Sequence, residues 1–188
     1  DENGLLDLPL PKLIGAHQVQ NAGIALATLR YLGKDSSSYD GAMLNADWPA
    51  RMQKLKNGPL ITLAPEAEIW LDGGHNKAAG HALSEAISRL QSRKLFLIVG
   101  MLNTKDVMGY MQPLLNKSSD LYGVSIPGEA ATMSAQETVD IAKDVGFKAI
   151  VSENVESAIK DIIKYDHNAR ILICGSLYLA GNILKENF

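Results

Sequence analysis

Residues 69–99 read IWLDGGHNKAAGHALSEAISRLQSRKLFLIV and carry the pattern that decides the fold. The apolar run 69–71 is short and uninterrupted, and residues 78–90 then carry apolar side chains at the three- and four-residue steps of a helix. A second apolar run, 95–99, follows that helix. Continuous apolar strands joined by an amphipathic helix are typical of a parallel sheet covered on both faces. The stretch therefore predicts a β-α-β unit.

The same alternation of strand and helix continues to the end of the chain. The predicted segments are helix 107–115, strand 121–126, helix 135–145, strand 149–151, helix 155–163, strand 171–174 and helix 177–184. With right-handed crossovers they predict an α/β, Rossmann-like domain with a mostly parallel sheet and helices on both faces. Ahead of it, the runs 60–63 and 68–71 are expected to form a hairpin or two successive strands.

A separate helix is predicted over residues 15–32. Apolar residues recur there at helical spacing and a glycine follows: Val19, Ala22, Leu26, Leu29 and Gly33. The polar run 34–38 is typical of a connection, so we place a domain boundary there. Residues 1–34 are then the carboxy-terminal remnant of a preceding domain, and residues 35–188 form the Rossmann-like domain. Because the first residue is Asp1 and not Met, we expect the chain to be part of a longer protein.

The composition excludes several classes of function. With 46% apolar and 21% charged residues, the chain has the make-up of a soluble globular protein. A formal net charge of -3 offers no basic surface for nucleic acid. No apolar run approaches the roughly 20 residues of a membrane span. The single cysteine, Cys174, lies in an apolar run, so we expect a small buried side chain and a reducing, cytoplasmic setting. Separately, we expect a monomer.

The residues after the first predicted strand carry the best candidates for chemistry. In a parallel sheet, ligands collect where strands end, and the segment Asp72-Gly73-Gly74-His75-Asn76 lies at such an end. Asp72 ends a buried strand, so its carboxylate needs partners, and the paired hydroxyls of a ribose are suitable ones. His75 fits either a contact to an anion or reacting group, or a structural role. Asn76 fits a helix cap.

Two other segments carry polar side chains that are suited to binding a ligand. Arg51 follows the rigid Trp48-Pro49 pair and is suited to fork-like recognition of phosphate, with an ordinary surface arginine as the alternative. His17, Gln18 and Asn21 lie within one helical turn, which suggests an adenine edge as their partner. A metal site there is disfavoured, because asparagine is a poor zinc ligand and no third ligand is near.

Taken together, the segments resemble a known family. The chain resembles the ADP-forming Mur-ligase superfamily through three collinear motifs: His17-Gln18-x-x-Asn21-Ala22, Trp48-Pro49-x-Arg51 and Leu71-Asp72-Gly73-Gly74-His75-Asn76. Three more segments make it similar to the folate branch, dihydrofolate synthase/folylpolyglutamate synthase: residues 100–106, residues 126–129 and Cys174-Gly175-Ser176-Leu177-Tyr178-Leu179-Ala180-Gly181. The matched motifs span most of the chain, which corresponds to the carboxy-terminal portion of that family.

The resemblance implies a role for each candidate residue. Asn21 is expected to contact the adenine side of ATP, Arg51 to reach its phosphates and Asp72 to bind the ribose. His75 is expected near the reacting end. Ser176 is expected near the incoming L-glutamate, whose carboxylate a helix amino terminus favours. His75 and Ser176 are therefore the catalytic candidates, and none of these residues is expected to be a metal ligand.

Four positions depart from the family pattern or receive no role. Ala50 stands where glycine is common, which questions the local backbone approach beside Arg51. Lys77 stands where proline is common, so the helix start is expected to be less rigid. Lys105 and Asp106 belong to a family motif without an assigned role, and Asp106 is expected in the first turn of a helix.

The resemblance also implies a reaction. ATP phosphorylates a carboxylate of dihydropteroate or of a folate such as tetrahydrofolate, and the amine of L-glutamate attacks the acyl phosphate. The sequence has no Gly-x-x-x-x-Gly-Lys-Ser/Thr phosphate loop. In the family that loop and the Mg²⁺ ligands lie in a central ATPase domain, of which residues 1–33 would be the last strand and helix. We therefore expect the chain alone to be inactive. The alternatives are a ligase for muramoyl nucleotides and a non-catalytic Rossmann-like binding module.

Overall fold

The computed structural model describes residues 5–187, and the chain divides into two compact units, Asp1–Pro49 and Ala50–Phe188. The first unit contains two helices in contact, α1 (Ala16–Tyr31) and α2 (Ser36–Asn45). The helix predicted over residues 15–32 is confirmed by α1. The strand expected ahead of it is not found among residues 5–14, and residues 1–4 lie outside the described part.

Helix α2 begins inside the polar run that predicted a connection. The Asp35 carboxylate accepts the backbone N–H of Ser38 at 3.0 Å, which makes Asp35 the amino-terminal cap of α2. The polar run is therefore partly a helix start, and the first compact unit extends to Pro49. The assignment of residues 1–34 and 35–188 to two family domains stays a prediction.

Six strands form the sheet of the second unit. They are β1 (Gln53–Lys54), β2 (Glu68–Leu71), β3 (Leu95–Val99), β4 (Leu121–Gly123), β5 (Ala149–Val151) and β6 (Arg170–Cys174). Their order across the sheet is β1-β2-β6-β3-β4-β5. Strand β1 runs antiparallel to β2, and all other neighbouring strands are parallel.

Helices cover both faces of this sheet. They are α3 (Pro59–Leu63), α4 (Lys77–Ser88), α5 (Val107–Met111), α6 (Ala135–Val145), α7 (Val155–Tyr165) and α8 (Leu177–Asn187), with a 3-10 helix at Gln112–Lys117. Alternate strand residues point to opposite faces, so Ile171 joins a core with α3, α7 and α8, and Leu172 joins a core with α4, α5 and α6. The predicted α/β, Rossmann-like architecture is confirmed.

Three local predictions differ from the structure. The strand predicted over 121–126 ends at Gly123. Residues 60–63 form helix α3 and not a strand, because Pro59 fits the first position of a helix and a short apolar run has no distinguishing period. The antiparallel partner of β2 is instead β1. The helix predicted over 107–115 stops at Met111 and continues as the 3-10 helix, because Pro113 cannot donate an α-helical hydrogen bond. None of the helices between residues 5 and 187 has the length and apolarity of a bilayer span.

Candidate functional site

The carboxyl ends of β2, β6 and β3 lie side by side at one edge of the sheet. The ladder continues just beyond the strands, because Asp72 N–H donates to Ile173 O at 3.0 Å and Gly100 N–H donates to Cys174 O at 3.2 Å. The segments that follow these strands therefore share one edge, as the strand-end rule predicts for a ligand site in such a sheet.

Asp72 is a buried carboxylate at this edge, and both of its oxygens accept backbone hydrogen bonds. Oδ1 accepts from Gly74 N–H at 2.8 Å, and Oδ2 accepts from Met52 N–H at 2.9 Å. The residue is 9% exposed. These donors are partners that a buried carboxylate requires. A carboxylate offers about four lone-pair sites, so Asp72 can accept from several donors at once.

Arg51 lies in a tight turn that packs onto the end of β2. Gly73 N–H donates to Ala50 O at 2.9 Å, which joins the turn to the strand end. A methyl group added to Gly73 would lie 3.5 Å from Arg51 Nη1 and would collide with Leu177 Cδ2. The guanidinium is therefore next to the Asp72-Gly73-Gly74 segment.

The alanine beside Arg51 has an unusual backbone conformation. Ala50 has φ 56, in the left-handed region that favours glycine. The glycine that is common in the family at this position fits that conformation, and Ala50 adopts it at a cost. The departure noted in the sequence thus leaves the turn in place.

His75 and Asn76 connect the strand end to helix α4. Gly73 O can only accept, so the 2.9 Å contact with His75 Nδ1 requires a proton on Nδ1. Asn76 Oδ1 accepts Ala79 N–H at 2.9 Å, which confirms the helix-cap prediction. Helix α4 begins at Lys77 without the common proline.

Ser176 follows β6 and precedes α8. Its Oγ accepts the N–H of Tyr178 at 3.1 Å, and the residue is 3% exposed. The next residue, Leu177, contacts Gly73, so the β6 turn lies beside the Asp72 segment. The structure therefore brings Arg51, Asp72, His75 and Ser176 to neighbouring turns of one edge. Their chemical roles stay predictions.

A buried tyrosine, Tyr110, lies beneath these turns. A methyl group on Gly74 would lie 3.8 Å from its ring. Burial raises the pKa of the Tyr110 hydroxyl well above its usual value, and the nearby Cys174 and Asp72 add to that effect. Burial also raises the pKa of Cys174 to about 12. Cys174 is buried, as the sequence predicted.

Asn21 belongs to the first compact unit, where it forms a polar cluster on α1. Its Nδ2 donates to Gln18 Oε1 at 3.1 Å, and Gln18 Nε2 donates to His17 Nε2 at 3.0 Å. The three polar residues that the sequence grouped on one helical turn are therefore hydrogen-bonded to one another. Contact of Asn21 with adenine stays a prediction.

Sequence reasoning missed three residues of the site: Met52, Gln53 and Tyr110. Gln53 Oε1 accepts Ala50 N–H at 2.8 Å and so closes the Arg51 turn. The sequence carried one signal for it, a polar residue two positions after the candidate arginine, and none for Tyr110. Among the unassigned motif residues, Asp106 caps α5 by accepting Gly109 N–H at 2.9 Å, and Lys105 is exposed.

Known proteins are similar in sequence to this chain along nearly its whole length. The family of the dihydrofolate synthetase carboxy-terminal domain matches residues 61–186. Folylpolyglutamate synthase of Lacticaseibacillus casei is 26% identical over 194 residues, which cover 97% of this chain and 41% of that protein. The probable dihydrofolate synthetase of Schizosaccharomyces pombe is 27% identical over 188 residues, which cover 92% and 43%. The chain spans about two fifths of the length of these relatives.

A solved structure shares the fold. The Escherichia coli FolC protein in complex with DHPP and ADP superposes with a TM-score of 0.78 at 23% identity, over 98% of this chain and 42% of that one. This likeness supports the α/β architecture independently of the family match. Because the family match covers well over half of the residues, the chain belongs to the family of dihydrofolate synthetase carboxy-terminal domains.

Proposed function

We propose that the chain is the carboxy-terminal domain of an ADP-forming ligase that adds L-glutamate to dihydropteroate, to folates or to both through an acyl phosphate. The observation that carries this proposal is the joining of the Arg51 turn to the Asp72 segment by hydrogen bonds at the carboxyl edge of the sheet. A phosphate-binding side chain and a ribose-binding carboxylate side by side suit one nucleotide. Membership of the family and the names of its relatives support the same reading.

The proposed reaction has two steps. A carboxylate oxygen of the pteroate or folate attacks the γ-phosphorus of ATP, and ADP leaves. The amine nitrogen of L-glutamate then attacks the acyl carbon, inorganic phosphate leaves, and the nitrogen loses a proton. Positioning and neutralisation of phosphate charge carry most of the catalysis in such phosphoryl transfer.

Each site residue of this chain has a proposed part in that reaction. Arg51 neutralises and orients the phosphates, and Asp72 accepts a ribose hydroxyl. His75 presents Nε2 toward the reacting end, because its Nδ1 proton is held by Gly73 O. Ser176 and the start of α8 receive the glutamate carboxylate, to which the free N–H groups of a helix amino terminus are attracted. Asn21 contacts the adenine.

The proposed phosphoryl transfer uses Mg²⁺ bound with ATP. Between residues 5 and 187, no three His, Cys, Asp or Glu side chains are grouped closely enough to hold a metal ion. As the family resemblance implies, we assign the Mg²⁺ ligands and the phosphate loop to a preceding central domain, of which residues 1–34 would be the remnant.

The proposal is tested by comparing the chain alone with the chain joined to a phosphate-loop domain. The isolated chain, given ATP, Mg²⁺, L-glutamate and dihydropteroate, is expected to release no ADP above background. The chain joined to a phosphate-loop domain is expected to release ADP in step with dihydrofolate. A parallel arm with a muramoyl nucleotide separates the folate branch from the rest of the superfamily. Turnover by the isolated chain, or turnover of the muramoyl nucleotide alone, would contradict the proposal.

Replacing Arg51 with alanine is expected to raise the KM for ATP of the joined protein about tenfold. The loss of a charged hydrogen bond costs about 1–3 kcal/mol, and about 1.4 kcal/mol corresponds to a factor of ten. Arg51→Lys should recover only part of the loss, because lysine lacks the planar fork. Initial-rate kinetics over a range of ATP concentrations measure both effects.

The matched control for this prediction is Arg93→Ala. Arg93 is an exposed arginine between α4 and β3, away from the carboxyl edge. Its removal should leave the KM for ATP unchanged. Equal ATP kinetics in the Arg51 and Arg93 variants would remove Arg51 from the site.

A further inference from the structure

The turn that carries Arg51 is strained on both sides of that residue. Ala50 has φ 56 and Met52 has φ 42, and these are the only non-glycine residues with positive φ among residues 5–187. Such conformations are unfavourable for residues with a side chain, so they persist only where the surroundings impose them. Two such residues flank Arg51, the candidate phosphate ligand, so the surrounding contacts must hold this turn in its strained conformation.

Three hydrogen bonds hold this strained turn. Two of them reach the end of β2: Met52 N–H donates to Asp72 Oδ2 at 2.9 Å, and Gly73 N–H donates to Ala50 O at 2.9 Å. The third lies within the turn, where Ala50 N–H donates to Gln53 Oε1 at 2.8 Å. The first two bonds fix where the turn lies, and the third fixes how it is folded.

The backbone of Gln53 is held in the sheet, so its side chain extends from a fixed position. It is the first residue of β1, paired across the ladder with Leu71, and it is only partly exposed. Its side chain folds back over the turn to reach Ala50, which is buried. Removing this acceptor leaves a buried N–H without its partner, so the turn should open to satisfy it.

We propose that Gln53 is a positioning residue that holds Arg51 ready for the phosphates of the nucleotide. This inference rests on the proposed function, because it acts through the phosphate contact of Arg51. A guanidinium held in place before the nucleotide arrives binds it more tightly than one that must first be ordered. Gln53 makes no contact with substrate and works only by closing the turn.

The test compares Gln53→Ala with Gln53→Glu in the chain joined to its phosphate-loop domain. Glutamate keeps an oxygen acceptor for Ala50 N–H, whereas alanine has none. Gln53→Ala is expected to raise the KM for ATP about tenfold and to change kcat less than about threefold, as expected for a binding contact, and Gln53→Glu is expected to stay within about threefold of the parent. The matched control is Gln136→Ala, an exposed glutamine on α6 that bonds Asp140.

A second readout follows the turn itself in the isolated chain. Hydrogen exchange of the Ala50 amide is expected to accelerate at least about tenfold in Gln53→Ala and to be unchanged in Gln53→Glu and Gln136→Ala. Unchanged exchange at Ala50, or a KM defect in Gln53→Glu as large as in Gln53→Ala, would overturn the proposal. If the joined parent protein shows no ligase activity, the proposed function fails, and the exchange rates alone still decide whether Gln53 closes the turn.

Discussion

Replacing Asp72 with alanine is expected to lower the free energy of unfolding of the chain by about 3–5 kcal/mol, because two buried backbone N–H groups lose a charged acceptor. Those groups belong to Met52, which donates to Oδ2, and Gly74, which donates to Oδ1. The loss releases the Arg51 turn and the strand-end loop together. Urea unfolding followed by circular dichroism measures the change.

Asp72→Asn tests the same idea in a variant that is closer in shape. Asparagine keeps one acceptor oxygen and turns an NH₂ group toward the second backbone donor. Its unfolding free energy should therefore fall between those of the parent and Asp72→Ala. The matched control is Asp106→Ala, which removes an exposed aspartate cap with one bond to Gly109 and should cost only about 1 kcal/mol. If Asp72→Ala costs no more than Asp106→Ala, the structural role of Asp72 is wrong.

Asp72 has a structural role and a proposed role in binding ribose, and both must be considered when a variant of Asp72 uses ATP poorly. A loss of ATP use in Asp72→Ala would combine the loss of the proposed ribose contact with a released Arg51 turn. Arg51→Ala removes the proposed phosphate contact and leaves the bonds of Asp72 to Met52 and Gly74 in place. The two variants therefore separate nucleotide binding from the construction of the site, and only the Asp72 variant should lose much stability.

The sequence predicted best those elements whose local signals agree with their packing. Strands β3 and β5 and helix α6 begin and end where the pattern places them. Helix α6 shows why: Ser134 and Glu137 form a capping box at its start, and Gly146 adopts the left-handed conformation at its end. With both ends marked, the helical spacing of the apolar residues between them determines the extent of α6.

The missed elements lack such signals. Strand β1 has two residues, too few for any alternation of apolar and polar side chains to show. Helix α3 is an apolar run of a length that fits a strand equally well. The position of β6 between β2 and β3 was also beyond the sequence, because an alternation of strands and helices does not state the strand order.

The sequence selected the candidate residues one by one but not their arrangement. The strand-end rule selected Asp72, and the family motifs selected both Asp72 and Arg51. The bond that joins their segments crosses 20 positions of sequence, from Met52 N–H to Asp72. It also depends on positive φ at Ala50 and Met52, a conformation that is uncommon for residues other than glycine. Long-range contacts impose these conformations, so no local sequence pattern predicts them.

Replacing Glu68 with alanine is expected to lower the free energy of unfolding by about 3–5 kcal/mol, because it leaves a buried guanidinium unpaired. Glu68 Oε2 accepts from Arg170 Nε at 2.8 Å and lies 2.7 Å from Nη2, and Lys54 Nζ donates to Oε1 at 2.8 Å. Only 8% of the Arg170 side chain is exposed. The matched control, Glu156→Ala, removes an exposed pair with Lys160 at 3.9 Å and should cost less than about 1 kcal/mol.

The same carboxylate should give the chain a measurable acid sensitivity. Burial alone raises the pKa of Glu68, but the hydrogen bonds and charges of Lys54 and Arg170 outweigh it and lower the pKa from 4.5 to about 2. Because the folded chain holds this proton less tightly than the unfolded chain, its contribution is complete above about pH 5 and is lost as the pH falls toward 2. Glu68→Gln does not titrate, so the stability difference between parent and variant should shrink by about 2 kcal/mol from pH 6 to pH 3.

The location of this ion pair connects acid sensitivity to the site. Glu68 and Arg170 are direct partners in the ladder of β2 and β6, at the end opposite to Asp72 and Ser176. A slip of one residue between these strands would turn their side chains to the other face. The pair therefore favours, together with the apolar residues of both strands, the register that sets the Asp72 segment beside the Ser176 turn. An unchanged gap between parent and Glu68→Gln from pH 6 to pH 3 would show that Lys54 and Arg170 do not hold Glu68 ionised.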